Sequence, residues 1–312
     1  QNSFNFITNK LNFTSLVERE SIKGKVYTDV TLSAMALGGT TYGVTLTEMV
    51  GGYQIFGNLG KYYKPHTYLK VIDRDGNTIL DNEKIQPTQA IGEDTAYIMN
   101  RLLYSVVNGG SNSAGYARIN NLPTLGKTGT TSDNKDFMFA GLNPYYVAAC
   151  WIGYDTPKEM SYSGNPAPRL YGNVMNALMK NYAYRDFEMS EATLASYYCT
   201  DSGGLAREGC PKDEGYFKAK KAPAPCNRHS GAVLSPFKKA ASSDKDDTSS
   251  RSSSSSSSSA NSSSSSPPPS SSNSESSAPE SSASSAQADP TGLDINVFIG
   301  GILYGLLFKK YF

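Results

Sequence analysis

The sequence predicts an α+β fold, an antiparallel sheet covered by helices and followed by a disordered Ser-rich tail. Three observations carry that prediction. Apolar residues recur at helical spacing in separate segments upstream of residue 190. Three β-leaning runs stand side by side between residues 123 and 155, divided by turn signals. Ser then fills more than half of positions 242–290, so that stretch cannot contribute to a core. Roughly 240 residues remain upstream, enough for one sizeable domain.

In chain order, Asn5–Leu11 reads as a short helix. Thr45-Leu46-Thr47-Glu48 fits a capping box, in which the Thr hydroxyl serves a free N–H and Glu48 reaches back. Met49, Tyr53 and Phe56 follow at helical spacing, and Gly57 and Gly60 stop the run. Tyr68–Ile72 and Thr78–Leu80 flank Asp73-Arg74-Asp75-Gly76-Asn77, a strand–turn–strand signal. A second long helix opens at Asp94, carries Ala96, Met99, Leu103 and Val106 along one face, and ends at Gly109-Gly110. Pro123–Thr131 is short and β-leaning, and Phe137–Leu142 is apolar. After a turn at Asn143-Pro144, Tyr145–Tyr154 reads as a long strand. Tyr171–Tyr182 offers Val174, Leu178 and Met179 as one helix face.

Residues 191–237 change character, with three cysteines and little periodicity, and residues 238–290 read as a Ser/Pro linker. In the apolar tail, 291–312, the run Ile295–Phe308 is shorter than the roughly 20 residues a membrane span needs. It is expected at most to lie on a membrane surface.

Composition excludes several functions. Lys and Arg total 29 against 28 Asp and Glu, and no basic helix or arm stands out, so a nucleic-acid partner is not expected. Two His among 312 residues argue against His-rich metal chemistry, and no cofactor is expected. The chain opens at Gln1 without a signal-like leader, which suggests a piece of a longer protein.

The densest functional signal is Leu125-Gly126-Lys127-Thr128-Gly129-Thr130-Thr131. Gly-Lys-Thr ends a phosphate-loop pattern, but Asn121 stands where that pattern needs its first Gly. Thr130-Thr131-Ser132-Asp133-Asn134 would also break the helix the loop must open. The alternative is a Lys-Thr-Gly strand of serine acyltransferases. Lys127 would then supply a fixed cation for a substrate carboxylate and for the nucleophile's proton. Gly129, without a Cβ, would let a ligand lie against the strand. Thr128 and Thr130 would offer hydroxyls, and a free strand N–H could face an oxyanion.

The surroundings strengthen this second reading. Gly38-Gly39-Thr40-Thr41-Tyr42-Gly43-Val44-Thr45-Leu46-Thr47-Glu48-Met49, then Val106-Val107-Asn108-Gly109-Gly110, then Gly126–Thr131, then Asp136, Phe139, Gly141 and Trp151-Ile152-Gly153-Tyr154-Asp155 closely resemble the transpeptidase domain of class A penicillin-binding proteins. The resemblance covers roughly residues 1–182. It implies the fold shared by those transpeptidases and serine β-lactamases, with residues 1–190 as the C-terminal part of that domain. Ser202-Gly203-Gly204-Leu205-Ala206 and Cys226-Asn227-Arg228-His229 likewise resemble the C-terminal extension of Gram-positive members, making 191–237 a Cys-containing extension.

By that resemblance a serine attacks the carbonyl between two terminal D-alanines of a peptidoglycan stem peptide. D-Ala leaves, and a neighbouring amine resolves the acyl-enzyme. The same resemblance implies β-lactams as ligands, an N-terminal glycosyltransferase domain, a membrane anchor, a place outside the cytoplasmic membrane and a cell-wall synthesis complex. Lys127 is the implied catalytic residue, and Lys127, Thr128, Gly129 and Thr130 the substrate-binding ones.

There are departures from the family pattern. Upstream of Lys127 no Ser-x-x-Lys tetrad appears, Ser21-Ile22-Lys23 being the nearest lookalike. Ser3-Phe4-Asn5 formally fits Ser-x-Asn but stands too close to Lys10-Leu11. Both motifs, and the nucleophile, are therefore expected before Gln1. A non-catalytic binding module and a class A β-lactamase-like hydrolase are the alternatives. Asp136 reads equally as a brace of the strand hairpin, bonding free backbone N–H groups, or as a plain turn residue, Cys150 and Trp151 read as core, and Glu48 as a cap rather than an acid. Cys226-x-x-His229 has zinc-like spacing, but Cys199 and Cys210 are farther apart than a usual ligand pair. An extracytoplasmic place favours one disulfide among Cys199, Cys210 and Cys226, and no metal is assigned.

Overall fold

The computed structural model describes residues 1–109, 114–237, 293–301 and 307–311. The Ser/Pro-rich stretch, for which a disordered linker is expected, lies outside the described residues. In chain order the elements are α1 (Asn2–Lys10), β1 (Glu20–Ile22), β2 (Lys25–Tyr27), α2 (Leu32–Leu37), α3 (Leu46–Gly57), β3 (Lys61–Tyr62), β4 (Lys70–Ile72), β5 (Thr78–Asp81), β6 (Thr88–Gln89) and α4 (Glu93–Asn108). There follow β7 (Leu125–Thr130), β8 (Asp136–Leu142), β9 (Tyr146–Tyr154), α5 (Ala167–Met179), β10 (Thr193–Cys199), β11 (Lys212–Lys218), β12 (Leu293–Gly301) and β13 (Leu307–Tyr311).

The helices begin where the sequence supplies caps. Thr45 and Glu48 form the complete capping box at the start of α3. Glu93 and Asp94 put negative charge in the first turn of α4, where the helix dipole favours it. On α4 the residues Ala96, Asn100, Leu103 and Val107 are buried at helical spacing. α5 begins at Ala167, earlier than the apolar face beginning at Tyr171 indicates. Pro168 falls in its first turn, where no intrahelical N–H bond is lost.

The central sheet is antiparallel, in the order β13-β12-β9-β8-β7. One face sets Phe137, Phe139, Ala148, Cys150 and Ile152 in a cluster with Tyr171, Met175 and Met179 of α5. The other sets Leu125, Ala140, Leu142, Val147 and Ala149 against Val50 of α3 and Leu103 of α4. Burial on both faces explains why β9 reads as a continuous apolar run rather than an alternating one. Gly126 and Gly141, opposite one another in β7 and β8, make room for the Phe139 ring. A Cβ at either would stand 2.3 or 2.5 Å from it.

The described residues of the C-terminal tail are strand, and β12 pairs along β9 from Leu293↔Tyr154 to Gly301↔Tyr146. Gly300 and Gly301 disfavour helix, and Ile295, Val297 and Ile299 favour strand. No described helix is long and apolar enough to cross a membrane. The extension, unpatterned in the sequence, contains the antiparallel hairpin β10–β11. It docks on α4 through Lys218 Nζ, 3.2 Å from Asp94 Oδ1 and 2.6 Å from Thr95 Oγ1, and through Tyr216, whose ring lies 4.8 Å below the Arg101 guanidinium.

Candidate active site

The Lys-Thr-Gly triplet lies on β7, which has β8 as its single strand neighbour among the described residues. Its other edge therefore presents backbone N–H and C=O groups that no strand takes up. The strand is buried at Leu125 and Gly126 and emerges from the core at Lys127. Alternation then places Lys127 and Gly129 on the face that α3 and α4 cover farther back, and Thr128 and Thr130 on the α5 face.

The exposed Lys127 ammonium makes no ion pair among the described residues. It folds onto its neighbour, donating to Thr128 O at 3.0 Å and Thr128 Oγ1 at 3.5 Å. Two bonds to the adjacent residue leave an ammonium with donor capacity to spare. At Gly129 an added Cβ would meet only Met138 Cβ, at 3.4 Å, so the absent side chain leaves open space beside the cation. Gly126 and Gly129 thus lack side chains for different reasons, one for the core and one for the surface.

The turn after β7 is held by Asp136. Its Oδ2 accepts from Thr131 Oγ1 at 3.0 Å and its Oδ1 from the Trp151 indole Nε1 at 3.0 Å, while its own N–H donates to Thr131 Oγ1 at 2.8 Å. This ties β7, β8 and β9 together, so Asp136 is a brace rather than a plain turn residue. The brace uses a hydroxyl and an indole as donors to its carboxylate rather than free backbone N–H groups. Cys150 is core: burial pushes its thiol up to about 12. Glu48 is a cap, its carboxylate taking the N–H groups of Thr14, Ser15 and Thr45.

One positioning residue escaped the sequence reading. Asn165 Nδ2 donates to Gly129 O at 2.8 Å, Met138 O at 3.1 Å and Thr130 Oγ1 at 3.2 Å, and its Oδ1 accepts from Ala167 N at 2.9 Å. It both opens α5 and fixes the far end of β7. The signal was the dipeptide Asn165-Pro166 just before a helix, a turn-initiating pair. Ser3 lies in α1 and Ser21 in β1, and neither is a hydrogen-bond partner of Lys127.

The family model for the penicillin binding protein transpeptidase domain matches residues 7–176. The chain belongs to this family. Similar proteins include penicillin-binding protein 1A of Clostridium perfringens, 39% identical over 177 residues, covering 56% of this chain and 20% of that protein. That of Clostridium acetobutylicum is 38% identical over 157 residues, covering 50% of this chain and 19% of that protein. The chain thus spans about a fifth of the length of these relatives. Among solved structures, penicillin-binding protein 1A from Haemophilus influenzae superposes with a TM-score of 0.52 at 16% identity, over 69% of this chain and 36% of that one. That likeness supports the transpeptidase fold, and the class A resemblance seen in the motifs agrees with these relatives.

One expectation about the extension is corrected. All four cysteines are free, so no disulfide joins Cys199, Cys210 and Cys226. Their sulfurs instead converge with His229. The ten-residue gap between Cys199 and Cys210 is bridged by the hairpin, whose register sets Cys199 opposite Lys212, two residues past Cys210. Spacing along the chain misjudged a distance that a hairpin closes.

Proposed function

We propose that the complete protein to which these residues belong cross-links peptidoglycan stem peptides by D-Ala-D-Ala transpeptidation through a serine acyl-enzyme. Residues 1–190 form the C-terminal part of its transpeptidase domain and 191–237 an extension. The observation that carries this reading is the edge of β7 left open among the described residues, where the Lys127 cation, without an ion pair there, adjoins the space at Gly129. An extended peptide can lie along such an edge, its backbone taking up the free strand groups. Its terminal carboxylate would pair with Lys127 and receive hydroxyl donors from Thr128 and Thr130.

The nucleophile comes from the part of the protein outside these 312 residues. Lys127 stabilises negative charge beside it and helps manage its proton, D-Ala departs with a proton, and an amine of a neighbouring stem releases the acyl group. β-Lactams bind as imitations of the D-Ala-D-Ala end. The exposed apolar side chains of Leu32 and Leu37 on α2 support a further segment packing there. Glycan polymerisation by a separate domain, an anchor in the cytoplasmic membrane with the enzyme on its outer face, and membership of a cell-wall synthesis complex complete the reading.

The test is acylation of the complete protein by labelled penicillin. Lys127→Ala should lower acylation and cross-linking by at least about 10²-fold and leave glycan polymerisation unchanged. Equal loss of both activities would show misfolding rather than a lost cation. Labelling of residues 1–312 alone at a defined serine would overturn the placement of the nucleophile.

A further inference from the structure

We propose that Cys199, Cys210, Cys226 and His229 bind one zinc ion, and that this ion is the core of the 191–237 extension. The Sγ atoms of the three cysteines and a ring nitrogen of His229 all lie within 4.8 Å of one another. His229 Nδ1 stands 3.5 Å from Cys199 Sγ and 3.4 Å from Cys226 Sγ. Around a tetrahedral zinc, bonds of about 2.3 Å to sulfur and about 2.05 Å to nitrogen separate S from N by about 3.6 Å. The two observed separations match that edge. A disulfide between any two of these thiols would leave the third sulfur and the imidazole converging on nothing.

The surroundings are those of a ligand set. Backbone N–H groups point at the sulfurs, from Arg207 to Cys210 Sγ at 3.2 Å and from Arg228 to Cys226 Sγ at 3.3 Å, which favours thiolate. His229 turns Nδ1 inward and Nε2 outward, 3.5 Å from Asp201 Oδ2. A carboxylate behind the outer nitrogen holds the proton there and leaves the inner lone pair for a metal. Arg207 braces the loop by donating to Cys226 O at 2.8 Å and Gly231 O at 2.9 Å.

Packing gives an independent reason. The buried cluster of the extension consists of Cys199, Ala206, Cys210 and Cys226, with Tyr197 and Leu234 against it. Away from its dock on α4, this end of the segment has for its own core one alanine and three thiols, little hydrocarbon to order its loops, and small units of that kind rely on cross-links or metals. Three soft thiolates and one imidazole select zinc over calcium or magnesium, and four protein ligands make the site closed and structural. On binding, the three thiol protons pass to solvent.

The experiment uses the full-length protein, purified without chelator and dialysed after exposure to zinc. Elemental analysis should find about one zinc per chain, and peptide mapping should find all three thiols reduced. Cys226→Ser should lose the metal, whereas Cys150→Ser, in the separate sheet core, should keep it. To keep the test independent of whether variants fold, the native sequence is also loaded with Co²⁺. Thiolate-to-metal charge transfer and the visible bands of a tetrahedral site are expected. Asp201→Asn should retain those bands while its zinc affinity, measured by chelator competition, falls at least about tenfold. A disulfide among the three cysteines, zinc well below stoichiometric, or an octahedral cobalt spectrum without thiolate charge transfer would overturn the proposal.

Discussion

Replacing Glu48 by Gln should destabilise the protein in a pH-dependent way. The Glu48 carboxylate receives Thr14 N at 2.6 Å, Ser15 N at 3.0 Å, Ser15 Oγ at 2.7 Å and Thr45 N at 2.9 Å, tying the segment after α1 to the first turn of α3. Burial raises its pKa, but the Ser15 hydroxyl and the backbone N–H groups outweigh that and hold it at about 2, against an ordinary 4.5. A carboxylate depressed in the folded state stabilises fully above its unfolded pKa and loses that contribution as pH falls through the folded one. The contribution is therefore complete above about pH 4.5 and gone near pH 2. The full shift converts to roughly 3 kcal/mol. Solvent reaches much of this half-buried group, so about 1–2 kcal/mol is the expected loss in Glu48→Gln at neutral pH. For a domain of this size that lowers Tm by about 2–8 °C. Urea unfolding of the wild type and the variant at pH 7 and pH 3 measures it, with the stability gap at pH 3 shrinking to less than half. A gap equal at both pH values would refute the electrostatic account and leave only lost packing.

Four further outcomes follow from the structure. Gly129→Ala should leave unfolding nearly unchanged while lowering penicillin acylation of the complete protein, because its Cβ enters the open space at the site. Gly141→Ala should destabilise by about 1–3 kcal/mol, because its Cβ would press on the Phe139 ring and Leu125 O. Asp136→Ala should cost about 1–3 kcal/mol and shift the emission of Trp151, the one tryptophan of the chain, since its indole loses its acceptor. Truncation after residue 287 should raise self-association in light scattering, because it strips β12 from the nine-residue edge of β9.

What the sequence made legible was local. The Thr45–Glu48 box, the glycines closing α3 and α4, and the turn at Asn143-Pro144 each act within a few residues of themselves, and each stands where the sequence places it. That Leu125–Thr130 is a strand was legible from the residues that break a helix just after it and from the motifs around it. What was missed depends on distant partners. Nothing near Leu293 reports that it will pair with Tyr154, and nothing near Asn165 reports that β7 will end beneath its amide. The extension was opaque for another reason. Its strands bury mostly small or polar residues, Thr193, Ala195, Ser196 and Gly215, and β11 opens on Lys212-Asp213-Glu214, so the apolar alternation that betrays a strand was faint.

The two sides of the central sheet are treated differently, and the difference bears on function. β9 is apolar on both faces and nine residues long, so an unpaired edge there would invite association with other chains; β12 covers it along its whole length. Among the described residues β7 is left open, but its exposed half is short and carries a charge at Lys127 and no side chain at Gly129. Charge disfavours indiscriminate strand addition, since a second copy would bring its own Lys127 near the first. The same charge favours an extended peptide that ends in a carboxylate, and the gap at Gly129 lets that peptide approach the backbone. With Asp136 fixing the turn and Asn165 holding the Gly129 carbonyl, the strand is held in place before any ligand arrives. On the function proposed above, the features that deter a second copy of the protein are the ones that would receive a stem peptide.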